Sequence, residues 1–240
     1  MITDIAADKL VVISDLHLGN PYSKAKPLTL KFLNWAAREG YDVVINGDGF
    51  EIAQVSFSRI ARDVPEVFHA LKRFTQSGRQ VFYVVGNHDI VFENFLNDWG
   101  GFKVSPFLNV SCGDQRVRIE HGHLYDPFFV RYPELYEFCT WLGGFALKLH
   151  PDFYKVWIKF EKIKSRLSHS TEKGILGEHS NFSEAALELL NRGFDTVVFG
   201  HTHHTGSVRL GEGHYLNPGS WMSGSSYVEI IAGRATLKQF

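Results

Sequence analysis

The sequence is poor in cysteine and has no surplus of charge of either sign. Its two cysteines, Cys112 and Cys139, match no metal-binding or redox spacing, so we expect small buried side chains in a reducing compartment. The 25 basic residues are scattered and are balanced by 26 acidic residues, which leaves a formal net charge of -1 at pH 7. The chain therefore lacks the basic face of a nucleic-acid-binding protein, and nucleic acid is not an expected partner.

Long apolar runs are also missing from the sequence. The first residues carry Asp4 and Asp8, so we predict neither a signal peptide nor a membrane span and expect a cytoplasmic protein. Hydrophobic residues nevertheless make up 44% of the 240 positions, which is enough for an α/β domain with a full core. We predict a single domain over residues 1–240.

Five short apolar runs are present instead, and each precedes a polar cluster. The runs are 10–13, 43–45, 81–85, 117–119 and 197–199. The clusters that follow them contain Asp15 and His17, then Asp48, then Asn87, His88 and Asp89, then His121, and finally His201 and His203. A buried strand is expected to end at each cluster, and ligands bind in α/β sheets at the carboxyl ends of the strands. We therefore expect the five clusters to meet at one site.

The chemistry of these clusters predicts a dinuclear metal centre. Carboxylate, imidazole and amide groups without a thiolate suit Mn²⁺, Fe or Zn²⁺, and we favour Mn²⁺. A single ion cannot use all seven candidate ligands, which are Asp15, His17, Asp48, Asn87, His121, His201 and His203. A carboxylate such as Asp48 can instead bridge two ions, and Asn87 supplies a neutral oxygen. Two metals about 3.5–4 Å apart are used in displacement at phosphorus, with an activated water or hydroxide between the ions as nucleophile. The pattern predicts a phosphoester hydrolase, although Asp15-x-His17 or His201-x-His203 alone would be more typical of a turn or a helix cap.

The remaining periodic segments predict two helices and four late strands. Apolar residues at helical spacing predict helices over 29–39 and 64–76, and Gly40 and Gly78 are the expected stop signals. After His203, alternating residues predict strands at 207–210, 214–216, 227–231 and 235–240. We expect these four strands to form a second sheet packed on the first.

The five motifs, in this order and spacing, resemble the calcineurin-like metallophosphoesterase superfamily. They are Asp15-Leu16-His17, Gly47-Asp48-Gly49-Phe50-Glu51, Gly86-Asn87-His88-Asp89, His121-Gly122-His123 and Gly200-His201-Thr202-His203. The resemblance implies an α/β fold, a two-sheet α/β/β/α sandwich with a helical cap insertion. It implies that one ion is bound by Asp15, His17, Asp48 and His203, and the other by Asp48, Asn87, His121 and His201.

The resemblance also implies a catalytic pair. It places the imidazole of His88 at the leaving-group oxygen as a proton donor, with Asp89 orienting and charging it, and Glu51 could orient a ligand. The alternative is that His88 only donates a hydrogen bond to phosphate. The segment at about 126–193, which is rich in aromatic residues and lysine, predicts the helical cap. Its aromatic side chains either dock the cap on the body or bind an amphiphilic phosphate ester.

Within the superfamily the chain is most similar to the UDP-2,3-diacylglucosamine pyrophosphohydrolases of lipid A synthesis. The similarity rests on the motifs, on Gly219-Ser220-Trp221 and on the position of the insertion. It implies a lid over acyl chains and a peripheral location on the inner membrane. The substrate contacts it implies are Tyr132, His123, Ser168, His169 and Lys173.

Two departures from that group keep other functions open. Its members carry arginine at the position of His88 and an acidic residue at the position of His123. Because histidine can donate a proton at neutral pH and arginine cannot, the leaving group could differ. A soluble nucleotide phosphodiesterase or phosphomonoesterase is therefore the alternative, and a non-catalytic scaffold that kept the fold is a less favoured third hypothesis. The sequence makes no prediction of oligomeric state.

Overall fold

The computed structural model of the protein describes residues 3–95, 102–149, 174–222 and 224–240. Its strands are β1 (Asp4–Ala6), β2 (Lys9–Ile13), β3 (Asp42–Asn46), β4 (Val81–Val84), β5 (Lys103–Ser105), β6 (Phe107–Cys112), β7 (Gln115–Glu120), β8 (Thr196–Val198), β9 (Gly206–Leu210), β10 (Gly213–Asn217), β11 (Ser226–Ile231) and β12 (Arg234–Gln239). Its α-helices are α1 (Ala25–Glu39), α2 (Phe57–Asp63), α3 (Pro65–Gln76), α4 (Pro127–Arg131), α5 (Pro133–Leu149) and α6 (Ser180–Asn191). Short 3-10 helices span Ile90–Phe95 and His123–Tyr125.

The strands form two six-stranded mixed sheets. The first has the order β12-β11-β2-β3-β4-β5, and the second has the order β1-β6-β7-β8-β10-β9. Strands β2 to β5 run parallel, as do β7, β8 and β10. Parallel strands need crossover connections, which here run through α1, α3 and α6.

The core explains why the strand sequences are apolar without interruption. Alternate residues of β2 face opposite sides of the first sheet: Val11 and Ile13 pack in a cluster with α1 and α3, and Leu10 and Val12 pack against the second sheet. The other face of the second sheet packs on α6 through residues such as Phe182. Because both faces of β2 are buried from Leu10 onward, hydrophobic residues occupy every position from Leu10 to Ile13. The predicted α/β/β/α sandwich is confirmed.

The late strands differ from the prediction in their placement. Strands β9 and β10 extend the second sheet beside β8, whereas β11 and β12 extend the first sheet beside β2. Val228 of β11 is paired with Val12, and Tyr215 of β10 is paired with Val197. Each hairpin therefore covers the edge of a different sheet, and the four strands do not make a sheet of their own. An alternating pattern predicts a strand but not the edge on which it pairs.

The predicted cap range, 126–193, includes one helix of the body. Helix α6 lies in the core cluster on the second sheet, with Phe182, Ala186 and Leu189 buried. Helices α4 and α5 are the described part of the segment predicted to form the cap, which is called the cap below, and residues 150–173 lie outside the described residues. Among the described helices, none has both the length and the apolar character that a membrane crossing requires.

Candidate metal centre

The structure brings all seven predicted ligands together at the carboxyl ends of five strands. Three of these strands, β2, β3 and β4, belong to the first sheet, and β7 and β8 belong to the second. The site therefore lies where two facing sheets end, and not along one sheet. Six of the ligands are buried or nearly so, whereas the side chain of His203 is 44% exposed.

Asp48 lies in the middle of the centre. Its Oδ2 is 3.4 Å from His121 Nε2 and 3.8 Å from His17 Nε2, so two imidazoles face one carboxylate oxygen. On one side of it, Asp15 Oδ1 lies 3.1 Å from His203 Nε2. Two groups of three side chains at the centre could each hold a metal ion. One consists of Asp15, His17 and His203, and the other consists of Asp48, His121 and His201.

Asn87 completes the other side of the centre. Its Oδ1 lies 2.8 Å from His201 Nδ1 and 3.2 Å from His121 Nε2. The rings of the two histidines meet edge to face with centroids 5.3 Å apart. An amide oxygen between two imidazoles adds a donor without adding negative charge, which fits a divalent cation.

The ligand histidines are oriented as metal-binding histidines are. His17 places Nδ1 2.9 Å from Glu51, and His121 places Nδ1 2.9 Å from the carbonyl of Asn46. An acceptor on Nδ1 fixes the tautomer in which Nε2 has a lone pair to offer. In both residues this Nε2 faces Asp48, and His17 Nε2 is buried with no hydrogen-bond partner among the described residues. This donor set fits a divalent metal ion.

The backbone at the ligands is strained. Asp15, His17, Asp48, His201 and His203 all have left-handed conformations, with φ between 45° and 61°. Residues other than glycine rarely adopt these angles, and such strain is concentrated at functional sites. The only other described non-glycine residue with positive φ is Ala232. The turns after these strands therefore hold an unfavourable backbone conformation, and this conformation places the ligand side chains in the site.

Glycines let the loops approach one another closely. A Cβ at Gly47 would lie 2.2 Å from His121 Nδ1, and a Cβ at Gly86 would lie 2.2 Å from Asp48 Oδ1. Only glycine fits at such positions. These two glycines let the loops after β3 and β4 bring Asp48, Asn87 and His121 into one cluster.

His88 is paired with Glu51. The buried carboxylate of Glu51 accepts hydrogen bonds from Nδ1 of His88 and from Nδ1 of His17. Burial opposes a charged imidazole, but the surrounding carboxylates, first Glu51 and then Asp48, outweigh it and raise the pKa of His88 to about 10. The two imidazoles lower the pKa of Glu51 against the opposite effect of burial. His88 also forms a third group able to hold a metal ion, with His17 and Asp48.

Asp89 is directed away from the position that the resemblance implied. Its Oδ1 accepts a hydrogen bond from the backbone of Gly86 at 2.7 Å, and its Oδ2 accepts from the backbone of Gly49 at 2.9 Å and from the hydroxyl of Tyr83. It is Glu51 that orients the imidazole of His88. Consecutive residues of a tight turn point in different directions, which explains the difference. Burial and the charge of Asp48 raise the pKa of Asp89 to about 6.

A family model described as calcineurin-like phosphoesterase matches residues 9–205, a range that holds all seven ligands. The chain belongs to the calcineurin-like phosphoesterase family. It is a metal-dependent phosphoesterase, as predicted, and the use of divalent metals in this family agrees with the donor set of the site.

Relatives within the phosphoesterase family match the chain along most of its length. Those named UDP-2,3-diacylglucosamine hydrolase include a protein of Stenotrophomonas maltophilia (strain K279a), 24% identical over 239 residues, with 94% of this chain and 96% of that protein covered. The protein of that name from Serratia proteamaculans (strain 568) is 23% identical over 249 residues, with 95% and 97% covered. The predicted similarity to this group is confirmed.

Two solved structures share the fold of this phosphoesterase. One, described as a novel archaeal phosphodiesterase, has a TM-score of 0.51 and 16% identity, with 97% of this chain and 98% of that chain covered. The other, GAP50, described as the anchor in the inner membrane complex of Plasmodium, has a TM-score of 0.53 and 13% identity, with 97% and 84% covered. At these identities the likeness concerns the architecture alone.

Two residues of the cap contact predicted metal ligands of the phosphoesterase, and neither contact was predicted. The hydroxyl of Tyr136 on α5 accepts a hydrogen bond from Asn87 Nδ2. Asp126 Oδ2, at the start of α4, lies 3.0 Å from His201 Nε2. Asp126 also caps α4, since its Oδ1 accepts a hydrogen bond from the backbone of Phe128 at 2.8 Å. The sequence signal for Asp126 is its position before Pro127, which is typical of a helix cap.

The predicted substrate contacts differ in their surroundings. His123 is buried beside the centre, with its ring centroid 5.5 Å from that of His121 and 6.4 Å from that of His201. Burial, followed by the charges of these two histidines, lowers the pKa of His123 to about 3, and its Nδ1 has no hydrogen-bond partner in the described structure. Tyr132 is 49% exposed. Ser168, His169 and Lys173 lie outside the described residues.

Proposed function

We propose that the chain is a dinuclear-metal pyrophosphohydrolase that acts on UDP-2,3-diacylglucosamine or a similar amphiphilic, nucleotide-linked substrate. The observation that carries the proposal is the ligand cluster around Asp48, in which overlapping groups offer more donors than one ion can use. The relatives that align over nearly the whole chain have names that support the substrate class. We favour Mn²⁺ because of the mixed carboxylate, imidazole and amide donors.

Each of the two ions would have its own set of ligands and would share Asp48. One set is Asp15, His17 and His203, and the other is Asn87, His121 and His201. When bound, the ions would supply positive charge that polarises the phosphoryl oxygens and activates water. The protein fixes these donors in place before the substrate arrives, because Glu51 and the carbonyl of Asn46 hold the Nδ1 atoms of His17 and His121.

His88 would act on the substrate through Nε2. Its Nδ1 donates to Glu51, so Nε2 is the nitrogen left to reach a phosphate or leaving-group oxygen. Glu51 orients the imidazole of His88 and stabilises its protonated form, which is the form that a general acid needs. In this proposal Asp89 is a positioning residue, because it ties the loops of Gly49 and Gly86 together.

The cap supports an amphiphilic substrate. Phe138, Trp141 and Phe145 form a stacked row on α5, with 5.6 Å between the ring centroids of Trp141 and Phe145, and they are 45–59% exposed. The same helix contacts Asn87 through Tyr136, so the row belongs to the element that meets the metal centre. Exposed apolar surface on a helix that also reaches a phosphate-cleaving site suits acyl chains and a membrane-surface location. Tyr132, His123, Ser168, His169 and Lys173 are proposed substrate contacts.

A soluble nucleotide phosphodiesterase or phosphomonoesterase is the second candidate. His88 favours it, because a leaving alcohol needs a proton more than a nucleotide phosphate does. In that case the cap aromatics would stack on a base.

The test is hydrolysis by the metal-stripped protein after it is reloaded with Mn²⁺. Release of UMP from UDP-2,3-diacylglucosamine in mixed micelles is compared with turnover of bis-p-nitrophenyl phosphate. We expect the lipid to be cleaved far faster than the generic diester. Asp48→Ala should abolish both activities, because it removes the ligand that the two ions share.

A matched pair of variants tests the role of the cap. Trp141→Ser should lower turnover of the micellar substrate and leave the generic diester unaffected. Phe57→Ser removes a similarly exposed ring on α2, at 42% exposure, and should affect neither activity. Turnover of the generic diester alone would favour the soluble nucleotide candidate, and no turnover of either substrate would contradict both the pyrophosphohydrolase and the phosphodiesterase.

A further inference from the structure

The two sides of the candidate metal centre are supported by different parts of the chain. Asp15 accepts a hydrogen bond from its neighbour Ser14, and His17 is held by Glu51. Both supporting residues lie in the loops that follow β2 and β3, within the body of the sandwich. Among the described residues, the hydrogen-bond supports of Asp15 and His17 therefore come from the body.

Asn87 depends on the cap for the orientation of its amide. A terminal amide rotates over a broad range, and its oxygen and nitrogen occupy nearly the same space, so a hydrogen-bond partner must decide which end faces the cation. Asn87 Nδ2 donates to the hydroxyl of Tyr136, which leaves Oδ1 toward His121 and His201. The Tyr136 ring is itself fixed, because it packs edge to face on Phe129 with centroids 5.0 Å apart.

His201 is supported from the cap in the same way. Its Nε2 lies 3.0 Å from Asp126 Oδ2, and its Nδ1 faces the centre. An acceptor on Nε2 selects the tautomer in which Nδ1 can bind a metal. Asp126 is also the N-cap of α4, so the orientation of His201 is linked to the start of the cap.

We propose that Tyr136 and Asp126 are positioning residues that make the affinity of one of the two metal ions depend on the cap, while the described supports of the other ion's ligands belong to the body. The inference rests on the proposed dinuclear centre. It gives the cap a role in metal binding, separate from any contact with the substrate. Loss of one outer-shell partner commonly weakens metal binding by roughly 10- to 100-fold.

The experiment is a Mn²⁺ titration of the full chain by isothermal calorimetry, together with electron paramagnetic resonance of the loaded protein. Tyr136→Phe and Asp126→Asn should each weaken one site by roughly 10- to 100-fold and leave the other unchanged. At a Mn²⁺ concentration that fills both sites of the wild type, the spin-coupled pair signal should give way to the six-line signal of isolated ions. A general loss of stability would weaken both sites together and would not leave one of them unchanged.

Tyr125→Phe is the matched control. It removes the hydroxyl of the residue that precedes Asp126. That hydroxyl donates a hydrogen bond to Glu120 at 2.9 Å and makes none to a predicted metal ligand in the described structure. We expect two sites of unchanged affinity in this variant. Unchanged affinities in Tyr136→Phe and Asp126→Asn, beside a wild type that binds two ions, would overturn the inference alone. A wild type that binds a single ion would overturn the dinuclear proposal and the inference with it.

Discussion

Replacement of Glu51 by glutamine tests whether one buried carboxylate serves both a metal ligand and His88. Glu51 is 1% exposed, and each of its oxygens accepts a hydrogen bond from an imidazole. Oε2 has a second donor, Asn20 Nδ2 at 3.2 Å. Glutamine keeps the shape of the side chain but offers only one oxygen, so one of the two imidazoles must lose its acceptor.

The number of donors decides which imidazole loses its partner. Two donors face the Oε2 position and one faces Oε1, so the amide oxygen is expected on the side of His17. The amide nitrogen then faces Nδ1 of His88. A buried N–H without an acceptor costs about 1–3 kcal/mol. At 1.4 kcal/mol per tenfold, loss of that stabilisation in the transition state lowers kcat by about 5- to 150-fold.

The assay is turnover of bis-p-nitrophenyl phosphate during a Mn²⁺ titration. We expect Glu51→Gln to lower kcat while the Mn²⁺ concentration at half-maximal activity stays close to that of the wild type. Glu229→Gln is the control, because Glu229 is also buried and accepts a hydrogen bond from the hydroxyl of Tyr41 at 2.7 Å, outside the metal centre. An unchanged kcat with a large loss of Mn²⁺ affinity would refute the reasoning, since the oxygen would then face His88.

Three further outcomes are expected. Gly47→Ala should displace His121 and reduce bound Mn²⁺, measured as metal content after gel filtration, because the new Cβ would overlap the ring; Gly78→Ala, at a similar φ of 83° but with open space, should retain the metal. Asp89→Asn should lower the free energy of unfolding by about 1–3 kcal/mol in urea, because each carboxylate oxygen accepts a backbone N–H and the amide nitrogen must face one of them; an unchanged midpoint would argue against this. Chelation should lower the melting temperature, and Mn²⁺ at 100 times its Kd should restore about 2.7 kcal/mol, whereas a melting temperature that ignores Mn²⁺ would contradict binding to the folded state.

The convergence of the ligand clusters could be predicted because each follows a short apolar run. Such a run, as in β2, is typical of a buried strand, and ligands bind at the carboxyl ends of such strands. Gly40 was predicted to stop the first helix, and it does cap α1 with φ of 76°. The helix itself begins at Ala25, ahead of the predicted start. Local sequence signals therefore predict the presence and the end of this helix better than they predict the residue at which it begins.

The supports of the ligands could not be predicted in the same way. Tyr136 and Asn87 are 49 residues apart, and no spacing rule connects a cap helix with a loop after a strand. Asp89 stands next to His88 in the sequence, yet Glu51, 37 residues earlier, makes the contact. Contacts of this kind depend on how the loops pack after the sheets have formed. A single sequence shows which side chains can donate or accept hydrogen bonds, but it does not show which of them pair in the folded structure.

Five ligands hold backbone angles that glycine adopts more readily, and this opposes selection for stability. A left-handed conformation costs an L-residue with a side chain roughly 1–2 kcal/mol, so glycine at Asp15 or His203 would relieve strain in the metal-free protein. Directed evolution for heat resistance, carried out without metal, would therefore reward the loss of these side chains one after another. A screen with added Mn²⁺ would instead select variants that keep these side chains, because the bound ions stabilise the folded state only while the ligands remain.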